Sequence, residues 1–225
     1  KSCDDYTLYI GFYNGGYIME EILNDKIEYY KDELLKSIID LVNIGSIKEE
    51  SKIDAPFGEK PKAALVKVLE IAEDLGFKIK NLDNYIGYAQ YGEGENYIGV
   101  LGHLDVVPVG EGWKFPLFSG HIENGKIYGR GALDNKGPII LALYGLYAIK
   151  EAGLKINKSV RIIFGTDEES GFNDIPYYLK REKPPIMGFT PDCKYPVVYG
   201  ERGRANIQIQ IEYNDENYIQ MNTWI

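Results

Sequence analysis

Seven side chains in this sequence could do chemistry together. His103 and Asp105 flank Leu104 in GHLDVVP (102–108). Asp134 stands in GRGALDNKGP (129–138). Asp167, Glu168 and Glu169 are consecutive in GTDEESG (165–171), and Asp192 closes TPD (190–192). Three adjacent acids repel one another, and an apolar run at 160–164 just before them makes that repulsion costlier. Either water solvates them on a loop or a cation sits among them. Taken singly, each residue has an ordinary explanation: a histidine with no special role, a helix cap at Asp134, a turn residue at Asp192 after Pro191. Taken together, imidazole plus several carboxylates form a donor set that suits zinc, manganese or cobalt. His103 and Asp105 fall on the same side of an extended segment, because side chains alternate along a strand. The carboxylate can then accept the second ring N–H and orient the ligand.

The elements that must gather these residues are legible from periodicity. Apolar spacing predicts one helix over 20–43, with Ile27, Leu34, Leu35, Ile38, Leu41 and Val42 on one face. A second helix is predicted over 60–75, with Pro61 in its first turn and Gly76 as its stop. Strands are expected at 77–80, 87–91 and 97–101, the last two joined as a hairpin by GEGEN. Asn124-Gly125 predicts a tight turn between 121–122 and 126–128. A long apolar helix opens near Pro138 and ends at Gly153, followed by a strand at 160–164, a short helix at 174–181 and a strand at 186–189. Strands alternating with helices imply an α/β fold: a mostly parallel sheet with flanking helices. If the strands at 97–101, 160–164 and 186–189 are parallel, their carboxyl ends share the edge where open α/β sheets bind ligands. His103, the acidic run and Asp192 then converge, and Asp134 reaches them on a glycine-rich turn.

Composition narrows the function classes. The chain has 225 residues, 44% of them hydrophobic, enough for one large domain or two small ones. A net charge of -9, with no basic stripe, argues against a nucleic-acid surface. No apolar stretch reaches membrane-spanning length. Residues 6–19 are interrupted by Asn14 and glycines and lack the flank and cleavage site of a signal peptide. Two cysteines, Cys3 and Cys193, fit reduced thiols in a cytoplasmic protein. GEGENYIG lacks the Lys-Ser/Thr of a phosphate loop, and there is no G-x-S-x-G elbow. Cys193 has only Lys194 as a basic neighbour, which disfavours a thiol enzyme. Met19 opens the first amphipathic pattern, so 1–18 reads as a non-native leader; the alternative is an ordinary N-terminal strand.

The four motifs, in this order and at these separations, resemble the di-zinc metallopeptidases that include aminoacylase, carnosinase, carboxypeptidase G and succinyl-diaminopimelate desuccinylase. DAPFGEKPKAAL, VPVGEGW and PDCKYPVVYGERG resemble the bacterial dipeptidase V branch of that family, the Xaa-His dipeptidases, and the likeness covers residues 20–210. The resemblance implies metal-dependent hydrolysis of a dipeptide amide bond, with two zinc ions in the complete enzyme, or manganese or cobalt in their place. It makes His103 and Asp192 ligands of one metal and Asp105 the acid that orients His103. Asp134 becomes the carboxylate bridging both metals, its peptide bond to Asn135 cis, and Glu169 a ligand of the second metal. Glu168 becomes the general base, taking a proton from the water shared by the two cations and passing it to the leaving amine. Asp167 is left facing away, solvated. The implied partner is a small peptide, with no nucleic acid and no membrane, and the oligomeric state is not specified. Two other readings stand beside this one: an N-acyl amino acid deacylase or desuccinylase of the same family, and a catalytically inactive metal-binding fragment.

The sequence also departs from the family it resembles. The family's second metal takes a further histidine far downstream, and this chain has only His103 and His121. His121 matches no ligand and is expected at the surface. The family inserts a lid domain, and 204–213 resembles its first strand. The expected organisation is a leader at 1–18, the N-terminal part of a zinc hydrolase catalytic domain at 19–204, and the first strand of a truncated lid at 205–225. Little activity is expected of such a fragment alone.

Overall fold

A computed structural model of the chain describes residues 15–192, 198, 200, 203, 206–211 and 219–224. The amphipathic N-terminal stretch forms two helices where periodicity suggested one. α1 (Gly15–Tyr29) and α2 (Lys31–Val42) are parted at Tyr30, whose carbonyl still accepts from the Leu34 N–H at 2.9 Å. A one-residue interruption leaves no mark on a 3.6-residue pattern. Residues 1–14 of the expected leader lie outside the described residues. α2 buries Leu34, Ile38, Leu41 and Val42, the i, i+4, i+7, i+8 stripe of a one-sided helix.

α3 (Glu59–Asp74) has Pro61 in its first turn and buries Ala64, Leu65, Val68, Leu69 and Ala72. It stops where Gly76 turns to φ +77°. The Phe77 N–H then reaches back to the Ala72 carbonyl at 3.0 Å, which satisfies an orphan acceptor at the helix end.

β1 (Lys78–Leu82), β2 (Ile86–Tyr91), β3 (Tyr97–His103), β6 (Ser159–Gly165) and β7 (Met187–Phe189) form one sheet in the order β1-β2-β6-β3-β7. Between β3 and β6 in sequence lie the two-stranded ribbon β4 (His121–Glu123) and β5 (Lys126–Tyr128), then α4 (Lys136–Glu151). The ribbon turns at Asn124-Gly125 as expected, with φ +52° and +72°. The expected hairpin between 87–91 and 97–101 does not form. β6 inserts between β2 and β3, antiparallel to the first and parallel to the second, and the hairpin is β1–β2 instead. β3 is buried on both faces and takes a central place, which a hairpin with β2 alone would not give it. β3, β6 and β7 are mutually parallel, so their carboxyl ends do share one edge.

Alternation along the strands fills two layers. Ala89, Val100, Ile162 and Phe164 face α2, α3 and α4, where Ile139, Ile140 and Leu143 join them in the main core. Each of these valine, leucine, isoleucine and phenylalanine side chains contributes about 1.5–3 kcal/mol by leaving water. The opposite face packs Ile86, Tyr88, Tyr97 and Ile163 against Tyr178 of the short helix α5 (Asp174–Leu179). A separate unit, Cys193–Ile225, holds an antiparallel pair, β8 (Asn206–Ile211) and β9 (Ile219–Trp224). Among the described residues, no helix is long and apolar enough to cross a membrane.

Candidate metal centre

His103 is the last residue of β3 and lies opposite Gly165 at the end of β6, so the acidic run begins two residues beyond its neighbour. The imidazole is 2% exposed. Its Nδ1 lies 3.0 Å from the Asp105 carbonyl oxygen and 3.4 Å from Asp105 Oδ1. With Nδ1–H donating there, Nε2 faces a ring of acids. Asp134 Oδ1 stands at 3.0 Å, Asp192 Oδ2 at 3.6 Å and Glu168 Oε2 at 3.8 Å from Nε2.

The Asp105 carboxylate reaches across to the acidic run. Its Oδ1 accepts the Glu168 N–H at 3.1 Å and its Oδ2 the Glu169 N–H at 3.0 Å. One buried acid thus fixes the imidazole from one side and the backbone of both glutamates from the other. The loop before α4 is held in turn by Asn135, which sequence reasoning passed over. Fully buried, Asn135 accepts the His103 N–H at 3.2 Å and donates to the Pro191 carbonyl and Asp192 Oδ1, both at 3.1 Å. It joins the ends of β3 and β7 to the Asp134 turn. Glycine is required at 102, where a Cβ would collide with the Asn135 side-chain oxygen. The Asp134-Asn135 peptide is cis, as the resemblance implied.

Lys136 is a second residue with no sequence signal beyond its place in the motif. It is wholly buried, and its ammonium donates to the carbonyls of Leu41 at 3.0 Å and Ile44 at 2.6 Å, beside the carboxyl end of α2. Burial pulls it down to about 7, against the lift from the Asp105 charge. A cation at that helix end also meets the negative pole of the helix.

The electrostatics report a site with too few positive charges. Burial depresses the His103 imidazole, but the hydrogen bond and charge of Asp105, with Asp192 and Glu168, lift it to about 9. Glu168, Glu169 and Asp192 are all raised, first by burial and then by neighbouring acids, with Glu169 acting on Glu168 and Asp134 acting on Glu169 and Asp192, although the imidazole lowers each of them. Asp167 does not behave as expected. It is fully buried rather than solvated, and Lys48 meets it at 2.6 Å. The Asn173 N–H and side-chain amide donate to its other oxygen at 3.0 and 2.7 Å. A carboxylate can leave water when a cation and several donors replace it. The three acids therefore split: one faces a lysine, two face the imidazole.

Two groups of donors could each hold a divalent ion: His103 with Glu168 and Asp192, and His103 with Asp134 and Glu169. Within each group the ligand atoms lie within 4.8 Å of one another. Imidazole with carboxylate oxygens fits zinc, manganese or cobalt. The structure thus brings His103, Asp105, Asp134, Glu168, Glu169 and Asp192 to one place. His121 stays apart, stacked on Phe115 with ring centroids 4.0 Å apart.

The profile of Peptidase family M20/M25/M40 matches residues 99–217, over half of the chain. YtjP of Bacillus subtilis (strain 168), provisionally named a dipeptidase, is 42% identical over 185 residues, covering 81% of this chain and 40% of that protein. The Beta-Ala-Xaa dipeptidase of Lactobacillus delbrueckii subsp. lactis is 40% identical over 191 residues, covering 84% of this chain and 41% of that one. The chain thus spans about 40% of the length of these curated relatives. Among solved structures, human carnosine dipeptidase 1 superposes with a TM-score of 0.62 at 21% identity, over 73% of this chain and 38% of that one, a likeness of fold.

Proposed function

Because the chain belongs to Peptidase family M20/M25/M40, we propose that it carries the metal-binding face of a dipeptidase. The observation that carries this reading is the convergence of one imidazole and four acids at the carboxyl edge of three parallel strands, with the acidity of Glu168, Glu169 and Asp192 weakened by burial and neighbouring charge. His103 and Asp192 would hold one divalent ion, Glu169 another, with Asp134 between them; zinc is the first choice and manganese or cobalt the alternatives. Such ions supply Lewis acidity toward a water and toward the scissile carbonyl.

The chain's own residues do the rest. Asp105 sets the imidazole ring and, through two backbone N–H groups, the positions of Glu168 and Glu169. Glu168 is the general base. Its carboxylate is raised by burial toward the range where it can take a proton from water and return it to a leaving amine. Residues 19–204 are read as part of the catalytic domain and 205–225, with its paired strands, as the start of a lid. Dipeptides are the proposed substrates, β-alanyl dipeptides included, since one relative's name specifies them. A cytoplasmic setting rests on the low cysteine count.

Substrate profiling with added zinc or manganese tests the reading on any longer product of its gene, the 225-residue chain alone being expected to show little activity. Hydrolysis of free dipeptides, reduced about a hundredfold or more by Glu168→Ala while metal content stays intact, is the expected result. Activity confined to N-acyl amino acids, or untouched by Glu168→Ala, would overturn it.

A further inference from the structure

We propose that Lys48 is a positioning residue for the acidic run, taking Asp167 out of the site so that Glu168 and Glu169 alone face the imidazole. The inference rests on the metal-site reading and adds a residue to it. The Lys48 ammonium lies 2.6 Å from Asp167 Oδ1 and 3.2 Å from the Ser170 carbonyl, so it grips the run at both ends of the two glutamates. It also stands over the Phe57 ring, 5.2 Å from the centroid. Asp167 has no exposed side-chain surface, and its remaining partners are the two neutral donors of Asn173.

Lys48 is itself held to the His103 side of the site. Its neighbour Ile47 bridges Val106, and the Val106 N–H donates to the Ser46 carbonyl at 3.1 Å. Val106 follows Asp105, whose carboxylate holds the Glu168 and Glu169 amides. The acidic run is therefore fixed twice from the same loop system, once through its backbone and once through the charge of Asp167.

Removing the ammonium leaves a buried carboxylate with neutral donors only, a state much costlier than the intact pair. The ready relief is for Asp167 to swing into water, and Glu168 and Glu169 must move with it. The uncompensated charge also attracts a cation, but that attraction is weak through a solvated site. Loss of ligand geometry dominates, so the metal should bind more weakly.

Cobalt(II) titration of the 225-residue chain tests this, followed by the visible absorption of the bound ion. Circular dichroism melts run in parallel on wild type, Lys48→Met, Lys48→Arg and the double variant Lys48→Met/Asp167→Asn. Lys48→Met should fold, bind cobalt(II) about tenfold more weakly and show an altered absorption band. Lys48→Arg, and the double variant that removes both charges, should recover affinity to within about threefold of wild type, a rescue that general destabilisation would not give. Wild-type affinity in Lys48→Met, or a double variant as weak as the single one, overturns the assignment. Should Lys48→Met fail to fold, the double variant decides: near wild-type affinity supports the assignment, and about a tenfold loss overturns it. A wild-type chain that takes up no cobalt(II) overturns the metal reading beneath it, and all variants would then be equally silent.

Discussion

Around Arg161, on the α5 side of the sheet, each ion has a partner of opposite sign. The guanidinium meets Glu182 at 2.8 Å, Gln90 at 2.7 Å and the Tyr178 hydroxyl at 3.0 Å, and lies between the Tyr88 and Tyr97 rings. Lys80 meets the same glutamate at 2.6 Å. Although burial would raise Glu182, the hydrogen bonds and charges of Lys80 and Arg161 hold it below its ordinary value. Around His103, at the edge of the same sheet, four acids crowd one imidazole and three of them are raised. Balanced charge in the first cluster is a structural arrangement. The acid excess in the second costs stability in the bare protein and would be relieved by a cation, which is why crowded acids point to function.

The comparison can be broken first at its balanced end. Arg161→Met leaves Glu182 with Lys80 alone and strips partners from Gln90 and Tyr178. The urea midpoint should fall by the equivalent of about 3 kcal/mol while cobalt(II) affinity of the folded chain is unchanged. Equal losses in both measurements would mean that the two clusters are one system.

The next effect belongs to the unbalanced end, in the metal-free chain with chelator present. The folded His103 is raised from 6.5 to about 9, so its contribution is complete below pH 6.5 and is lost as pH climbs through 9. The expected loss is on the order of 3 kcal/mol. The raised carboxylates act in the same direction at lower pH: the folded state keeps their protons longer, so stability falls as they ionise. Lys136, held down to about 7 by burial, acts oppositely: its destabilisation is full below 7 and fades as pH rises toward 10.5. Thermal melts from pH 6 to 9 should therefore show the His103 decline as the difference between wild type and His103→Ala, a substitution that should also abolish metal uptake. Metal affinity should rise over the same interval, because binding displaces protons.

The smallest effect sharpens the contrast. Tyr97→Phe removes a hydroxyl that contacts Tyr178 at 2.8 Å and the Lys183 carbonyl at 2.6 Å. It should cost about 1 kcal/mol in the urea midpoint, with no change in metal binding.

Much of this was legible in the sequence because it is local. Helix faces, the Gly76 stop, the Asn124-Gly125 turn and the ligand-type residues at strand ends follow from spacing and residue type. What was missed depends on contacts distant in sequence. A turn signal in GEGEN says nothing about β6, which arrives more than 60 residues later and separates β2 from β3. Asp167 looked like a solvated loop acid because its partner Lys48 lies 119 residues away. Asn135 and Lys136 sit inside a recognised motif, yet their hydrogen bonds to Asp192 and to the end of α2 could not be read from neighbours. Pattern tells which residues could act; burial and pairing divide the acids of one run between structure and chemistry.

The reversal of direction at β2 gives the sheet two unlike rims. Because Ile86 lies level with Gly165, the turn at Asp83 and Asn84 sits on the same rim as the acids, whereas residues 92–96 cross over β6 at the opposite rim, where Tyr97 pairs Ser159. A fluorophore or epitope grafted at Glu93 or Glu95, both exposed in that crossing, would report on the protein from its far end and leave the approach of small molecules unobstructed.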